Sequence, residues 1–387
     1  MANYSTNAAV AVSSVEKPAP GADNGRAIVH PLVDFLCLGG ASLIIIPATL
    51  MLPSAAAPAM IAVMWMLADI LNHPHFTASY LIFYRGYGSK ISSKNPNRGL
   101  RLRYLFSGVV VPAALVFLFG AAFLLESPRI LGWSGNLMLL LVGWHYAKQG
   151  YGMLIVDSVY NRLFFNDSEK KILLYNAYAC WIMFWLSANW LISERALWGL
   201  HYYSFAVPEA ALWAAGAAVA LTTLLTLRIF WTRLRPGGAG LPLAGAAAYL
   251  TSLYFWAAAR LHPVALIFVP AFHSLQYLFI VWRFETNRAR NARLESDAPP
   301  AEDKSWPVFR FGATAFLLGL ALFWWAPKFL NGAVDYNAEL FGGYVFLFMF
   351  WIFINIHHYF IDNVIWRGDN PETGKSLFGV SKKANPA

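Results

Sequence analysis

The chain has 387 residues, of which 58% are hydrophobic, 16% aromatic and only 13% charged, against roughly a quarter charged in an ordinary soluble domain. Too few polar side chains exist to cover a water-exposed globule, so the expected class is all-α, a polytopic membrane helix bundle. Ordinary glycine and proline counts and two cysteines exclude a collagen-like, disordered or disulfide-framed chain. The net charge of +9 does not imply a nucleic-acid partner, because the bases lie in short loops beside apolar runs, where topology signals belong.

Residues 1–29 are rich in Ala, Ser, Pro and Gly, lack an apolar run long enough for a signal-peptide core, and read as a disordered tail. A bilayer core of about 30 Å takes about 20 apolar residues as helix. Ten such segments follow, near 32–52, 56–84, 104–126, 136–157, 172–193, 208–230, 241–259, 262–282, 309–330 and 343–366. They form one helical domain, 30–367, and a second disordered tail follows at 368–387. Cys37 and Cys180 fall inside apolar segments and read as small packing residues.

Lysine and arginine test this segmentation. With a cytoplasmic amino terminus, 24 bases fall on the cytoplasmic side and only Arg129, Arg195, Arg260 and Lys328 on the other, with Lys148 inside a span. The asymmetry alternates at every loop and predicts about ten helices with both termini cytoplasmic. The expected location is an integral, multi-pass protein, in the inner (plasma) membrane if bacterial. The longest loop, about 285–307, reads as a solvated linker, which leaves the bundle itself to supply any chemistry.

Of nine histidines, His30 sits in the tail, and His201 and His262 fall near the outer surface, where an interfacial role is expected. His73, His75, His145, His273, His357 and His358 lie deep in segments two, four, eight and ten. His75, His273 and His358 precede the bases Arg85, Arg283 and Arg367 by nine or ten residues, which sets them about 15 Å from the cytoplasmic edge. His145 reaches a similar depth. Ionisable groups in a bilayer are expensive and face a bundle interior or cavity, so one polar site built from four helices is expected.

Asp69 lies four residues before His73 and Asp362 four after His358, so each carboxylate shares a helix face with an imidazole. It can orient that ring or bind metal itself. The expected metal set is therefore His73, His75, His145, His273, His357, His358, Asp69 and Asp362. His73 and His75 are about 200° apart on an ideal helix, so both serve one ion only if Pro74 distorts the turn. His357 and His358 are about 100° apart, which makes one a ligand and the other its support. Lys148, Gln276 and Tyr277 are the candidate catalytic groups, placed to hydrogen-bond oxygen or substrate. An ion pair of Lys148 with Asp69, Asp157 or Asp362 is the plainer expectation for that lysine.

The segments His73-Pro74-His75, Trp144-His145-Tyr146, His273-Ser274-Leu275-Gln276-Tyr277 and His357-His358-Tyr359-Phe360-Ile361-Asp362 resemble, in kind, those of the integral-membrane histidine-rich oxygenases. These are the fatty-acid desaturase and hydroxylase group and the Brp/Blh type of carotene dioxygenase. The chain departs from the desaturase HxxHH box, since position 354 is Ile, and shares with the Brp/Blh type the spread of histidines over several membrane helices. The resemblance implies non-haem iron, mono- or dinuclear, with dioxygen and a lipid-soluble small molecule as substrates. No glycine-rich nucleotide fingerprint is present, so reducing equivalents are expected from an electron-donor protein or the substrate. Two other readings of the same polar layer are a haem b electron-transfer protein, with facing histidine pairs, and a proton-coupled transporter.

Overall fold

The computed structural model describes residues 27–92, 97–191, 196–197, 200–257, 263–295 and 306–378; His262 and the amino-terminal residues 1–26 lie outside them. Among these residues the chain is helical, apart from a two-residue antiparallel pair, Ala196–Leu197 with Leu200–His201. Each of the ten apolar segments carries a helix. In chain order they are α1 (Pro31–Leu50), α2 (Ala57–Leu67, continued through Ala68–Asn72 into His73–Tyr84), α3 (Arg98–Leu124) and α4 (Pro128–Asn161). After them come α5 (Asp167–Leu191), α6 (Glu209–Leu234), α7 (Leu243–Tyr254), α8 (Pro263–Glu295), α9 (Trp306–Ala333) and α10 (Val345–Ile365).

Five of these, α1, α3, α6, α9 and α10, are long and apolar enough to cross a membrane. Large apolar side chains on their outer faces, such as Phe117, Leu124, Trp213 and Phe329, are more than two-thirds exposed, which suits lipid as solvent. Helices α2, α4 and α8 are as long, but Asp69, Asn72, His73 and His75, then His145, Lys148, Gln149 and Asp157, then His273, Ser274 and Gln276 lower their apolarity. The residues that dilute the membrane signal include those that build the polar interior.

Helix α7 is shorter than its apolar segment. It has 12 residues, about 18 Å, where residues 241–259 predicted a full span. It is an internal strut: Tyr249 and Ala248 are fully buried, and the helix packs against α4 and α1. Glycines permit this closeness, since a Cβ on Gly39 would come within 2.7 Å of the Ala247 backbone and one on Gly245 within 2.8 Å of Leu154. Small residues bring helix backbones together where lipid offers no hydrophobic gain.

Three boundary expectations are corrected. Helix α8 does not end near 282 but runs to Glu295, so the linker expected from 285 begins as helix. The carboxyl-terminal segment is not wholly tail, because α11 (Pro371–Phe378) follows α10 and buries Thr373, Ser376 and Leu377. Side-chain amides of α8 hold it: Asn287 donates to the Leu377 carbonyl (3.1 Å), Asn291 to that of Lys375 (3.3 Å), and Tyr160 of α4 to that of Leu377 (2.5 Å). Polar side chains satisfying carbonyls at a helix end give a short helix stability that its own propensity does not. At the other end Ile28, expected in the tail, is buried, and the Ile28, Val29 and His30 amides donate to Asp34.

Candidate metal centre

Helix α2 carries the first part of the site and changes its winding to do so. Pro74 has no N–H to give the preceding turn, and the turn before it, Ala68–Asn72, widens to a π-helical one. Widened single turns recur at functional sites. Here the widening leaves His73 and His75 facing opposite ways, as an undistorted 200° separation predicts. His75 is 1% exposed and faces the bundle centre.

The rings of His75, His145 and His358 meet there. Ring centroids are 4.5 Å apart for His75 and His358, 4.9 Å for His145 and His358, and 6.2 Å for His75 and His145. Asp362, one turn after His358 on α10, joins them: its Oδ2 is 3.4 Å from His358 Nε2 and 4.0 Å from His145 Nε2, and those two nitrogens are 3.3 Å apart. One donor atom from each of His75, His145, His358 and Asp362 lies within 4.8 Å of every other, and all four residues are buried.

A transition ion bound at about 2.1 Å by imidazole and carboxylate holds neighbouring donors roughly 3.0–3.4 Å apart. The closest pairs match that spacing. The polar atoms turned toward the centre also lack other partners: among the described residues His75 Nε2 and Asp362 Oδ2 make no hydrogen bond. Buried polar groups are seldom left so, and a cation is what two imidazole lone pairs and a carboxylate oxygen share.

Neighbouring groups set the orientation of the donors. Ser274 of α8 donates to Asn72 Oδ1 at 2.9 Å, which uses its single proton. The His75 Nδ1 contact to the same hydroxyl, 3.0 Å, therefore has the imidazole N–H as donor, and Nε2 keeps its lone pair for the centre. A ring fixed through its second nitrogen is the usual arrangement of a metal-binding histidine. Asp362 is held likewise, because Tyr277 donates to its Oδ1 at 2.9 Å and leaves Oδ2 facing the imidazoles. Tyr277 in turn accepts from Trp366 Nε1 at 3.2 Å and shares a short hydrogen bond with Ser79.

His273 stands at the edge of the cluster. Its ring is 4.9 Å from His145 and 5.1 Å from His75, stacked on Tyr146 at 3.7 Å, and neither nitrogen has a partner among the described residues. Beside it opens a narrow cavity of ≈ 20 Å³, lined in part by Tyr146, Ser252, Phe272 and Gln276. That is room for a water or a diatomic molecule and not for a lipid tail.

The other expected ligands lie elsewhere. His73 stacks on Phe323 of α9 at 4.2 Å and approaches Asp69 at 3.1 Å, and Asp69 accepts from Trp324 Nε1 at 2.8 Å. Carboxylate and imidazole are thus a pair against α9, and Gly319 leaves room for the crossing, since a Cβ there would come within 2.9 Å of His73. His357 has both nitrogens occupied. Nε2 donates to the Ser107 carbonyl at 2.9 Å, so Nδ1 accepts from Tyr80 at 2.8 Å. No lone pair is left for a metal.

Lys148 makes no ion pair with Asp69, Asp157 or Asp362 among the described residues. Its ammonium lies 5.9 Å from the Tyr151 ring, while Asp157 is taken up by Asn161 and the Gly245 amide. Gln276 accepts from Gln149, which also binds the His273 carbonyl, and so ties α8 to α4. The groups that sequence reasoning missed are Ser274 as anchor, Ser79, Tyr80, Ser107 and Trp366. Nothing in helical periodicity pairs a residue with a partner some 200 positions away.

The chain matches no family model, no curated protein and no solved structure. The functional reading therefore rests on the site.

Proposed function

We propose that this protein is an integral-membrane oxidoreductase in which His75, His145, His358 and Asp362 hold one non-haem iron ion, and in which dioxygen oxidises a lipid-soluble substrate. The observation that carries the reading is the convergence of three imidazoles and one carboxylate from α2, α4 and α10, with His75 held in the tautomer that ligation needs. Within it, His145, His358 and Asp362 form a triangle of two histidines and one carboxylate, the donor set of non-haem iron oxygenases. The ion supplies dioxygen activation; the protein supplies a buried site that excludes bulk water. The cavity beside His273 suits entry of dioxygen, and the apolar outer faces of the helices suit a substrate delivered by the bilayer. The bundle crosses the membrane, the inner one if the source is bacterial, with both termini cytoplasmic, as the placement of the bases supports.

Haem b fits this site less well. The donor atoms of three imidazoles and a carboxylate lie within 4.8 Å of one another, and the cavity beside them, ≈ 20 Å³, has no room for a porphyrin.

Metal analysis and the visible spectrum of detergent-purified protein test the proposal. The expected result is about one iron per chain and no Soret band. Zinc alone, a porphyrin spectrum, or no bound metal would each overturn it.

A further inference from the structure

The site is buried, yet one route of hydrogen bonds leaves it toward the end of the bundle where α11 packs. It starts at Asp362 Oδ1, passes to the Tyr277 hydroxyl at 2.9 Å, and continues to Trp366 Nε1 at 3.2 Å. Tyr277 is 2% exposed and its ring is 4.3 Å from that of His75. Trp366 caps α10, is half-buried, and lies 5.6 Å from the Tyr277 ring. Two hydrogen bonds therefore join a carboxylate of the centre to an aromatic ring at the rim. Electronic coupling decays more slowly through such a bonded, aromatic path than across unbonded gaps.

The rim around Trp366 is cationic. Among the described residues, segments 85–92, 97–103, 283–295 and 367–378 carry eleven lysines and arginines against four carboxylates, and contacts bring them to one end: Arg85 and Arg288 both bind Glu285 at 2.8 Å, and Lys90 meets Glu372 at 3.0 Å. The excess of positive charge fits an acidic partner, whose approach it would steer.

We propose that Tyr277 and Trp366 are the electron entrance of the centre, and that the partner at the rim is a one-electron carrier protein with an acidic docking face. This rests on the iron reading above. The carrier gives up one electron, iron(III) becomes iron(II), and no bond is made or broken. Tyr277 keeps its proton and goes on donating it to Asp362 throughout, so the two aromatic rings couple donor and acceptor and are not themselves oxidised. Tyr277 and Trp366 are in this sense positioning residues for electron transfer. A lipid headgroup satisfies the charge of the rim but supplies no electron.

The test uses full-length, iron-loaded protein in detergent and two reductants: a reduced [2Fe–2S] ferredoxin with an acidic surface, and a neutral quinol that dissolves in the micelle. Iron reduction is followed by stopped-flow absorbance in native protein, Trp366→Leu and Trp366→Phe, with metal content measured for each. Trp366→Leu, compared per bound iron, is expected to slow ferredoxin-driven reduction ten-fold or more relative to quinol-driven reduction of the same protein, and Trp366→Phe, which keeps a ring, is expected to recover part of the loss. The native ferredoxin rate is also expected to fall as salt rises. An unchanged ferredoxin rate in an iron-loaded Trp366→Leu protein, or equal slowing with both reductants, overturns the route and leaves the iron reading standing. Native protein that binds no iron overturns both.

Discussion

Two histidine pairs, each on one helix, show what makes a ligand in this protein. His75 and His358 sit next to or near His73 and His357, with comparable burial. Yet the first two converge on Asp362, whereas His73 stacks on Phe323 with its Nδ1 3.1 Å from Asp69, and His357 has both nitrogens taken by Tyr80 and the Ser107 carbonyl. All four rings are buried in protein. Convergence on the shared carboxylate separates His75 from His73, and occupied nitrogens separate His358 from His357.

Substitutions can break this contrast. The largest effect is expected at the centre itself: His358→Ala should reduce bound metal to about a tenth of native or less, since ligand loss exceeds the 10–100-fold effects of supporting residues. His357→Ala should leave the metal in place. Metal content of the two purified variants decides the matter, and equal loss in both would erase the distinction drawn here.

Ser274→Ala sharpens it. The variant removes the hydroxyl that receives the His75 N–H, and about 10–100-fold weaker metal binding is expected, read from competition with a chelator. Unchanged affinity would mean that the Ser274 contact does not hold the ring for ligation.

His357→Phe probes the structural member of its pair. It leaves the Ser107 carbonyl and the Tyr80 hydroxyl unpaired, with an expected cost of about 1–3 kcal/mol, seen as a lower melting temperature at native metal content. Loss of metal without loss of stability would reverse the assignment.

The smallest effect lies beyond the end of α10. Hydrogen bonds from Arg367 hold the Asp369 carboxyl below its ordinary value. A depressed carboxylate contributes stability that is complete above the ordinary aspartate value, near 3.8, and is lost as pH falls through the lower folded value. Native protein should therefore melt slightly above Asp369→Asn at pH 7, and the difference should close in strong acid. A difference that persists at low pH would show that the pair is not its source.

Much of the candidate site was legible from spacing alone. His358 and Asp362 share a face because they are four residues apart on a helix, and the opposite facing of His73 and His75 follows from the same geometry. The partners of each ring were not legible, because Ser274, Tyr80 and Ser107 come from other helices. The fold shows the same division. Apolar runs located ten helices, but the shortness of α7 and the persistence of α8 past 282 depend on backbone approaches at Gly39 and Gly245 and on amides that bind α11.

Composition and periodicity by themselves pointed to a bundle of apolar helices and set its deep histidines at similar distances from the basic loops. Those properties follow from solvation, which acts on each residue according to its own chemistry. Tertiary packing decided which imidazoles share a centre, which are tied off, and how Asp362 reaches the rim through Tyr277 and Trp366. A lone pair is free or occupied only by reference to atoms on other helices, and helix periodicity carries no information about them.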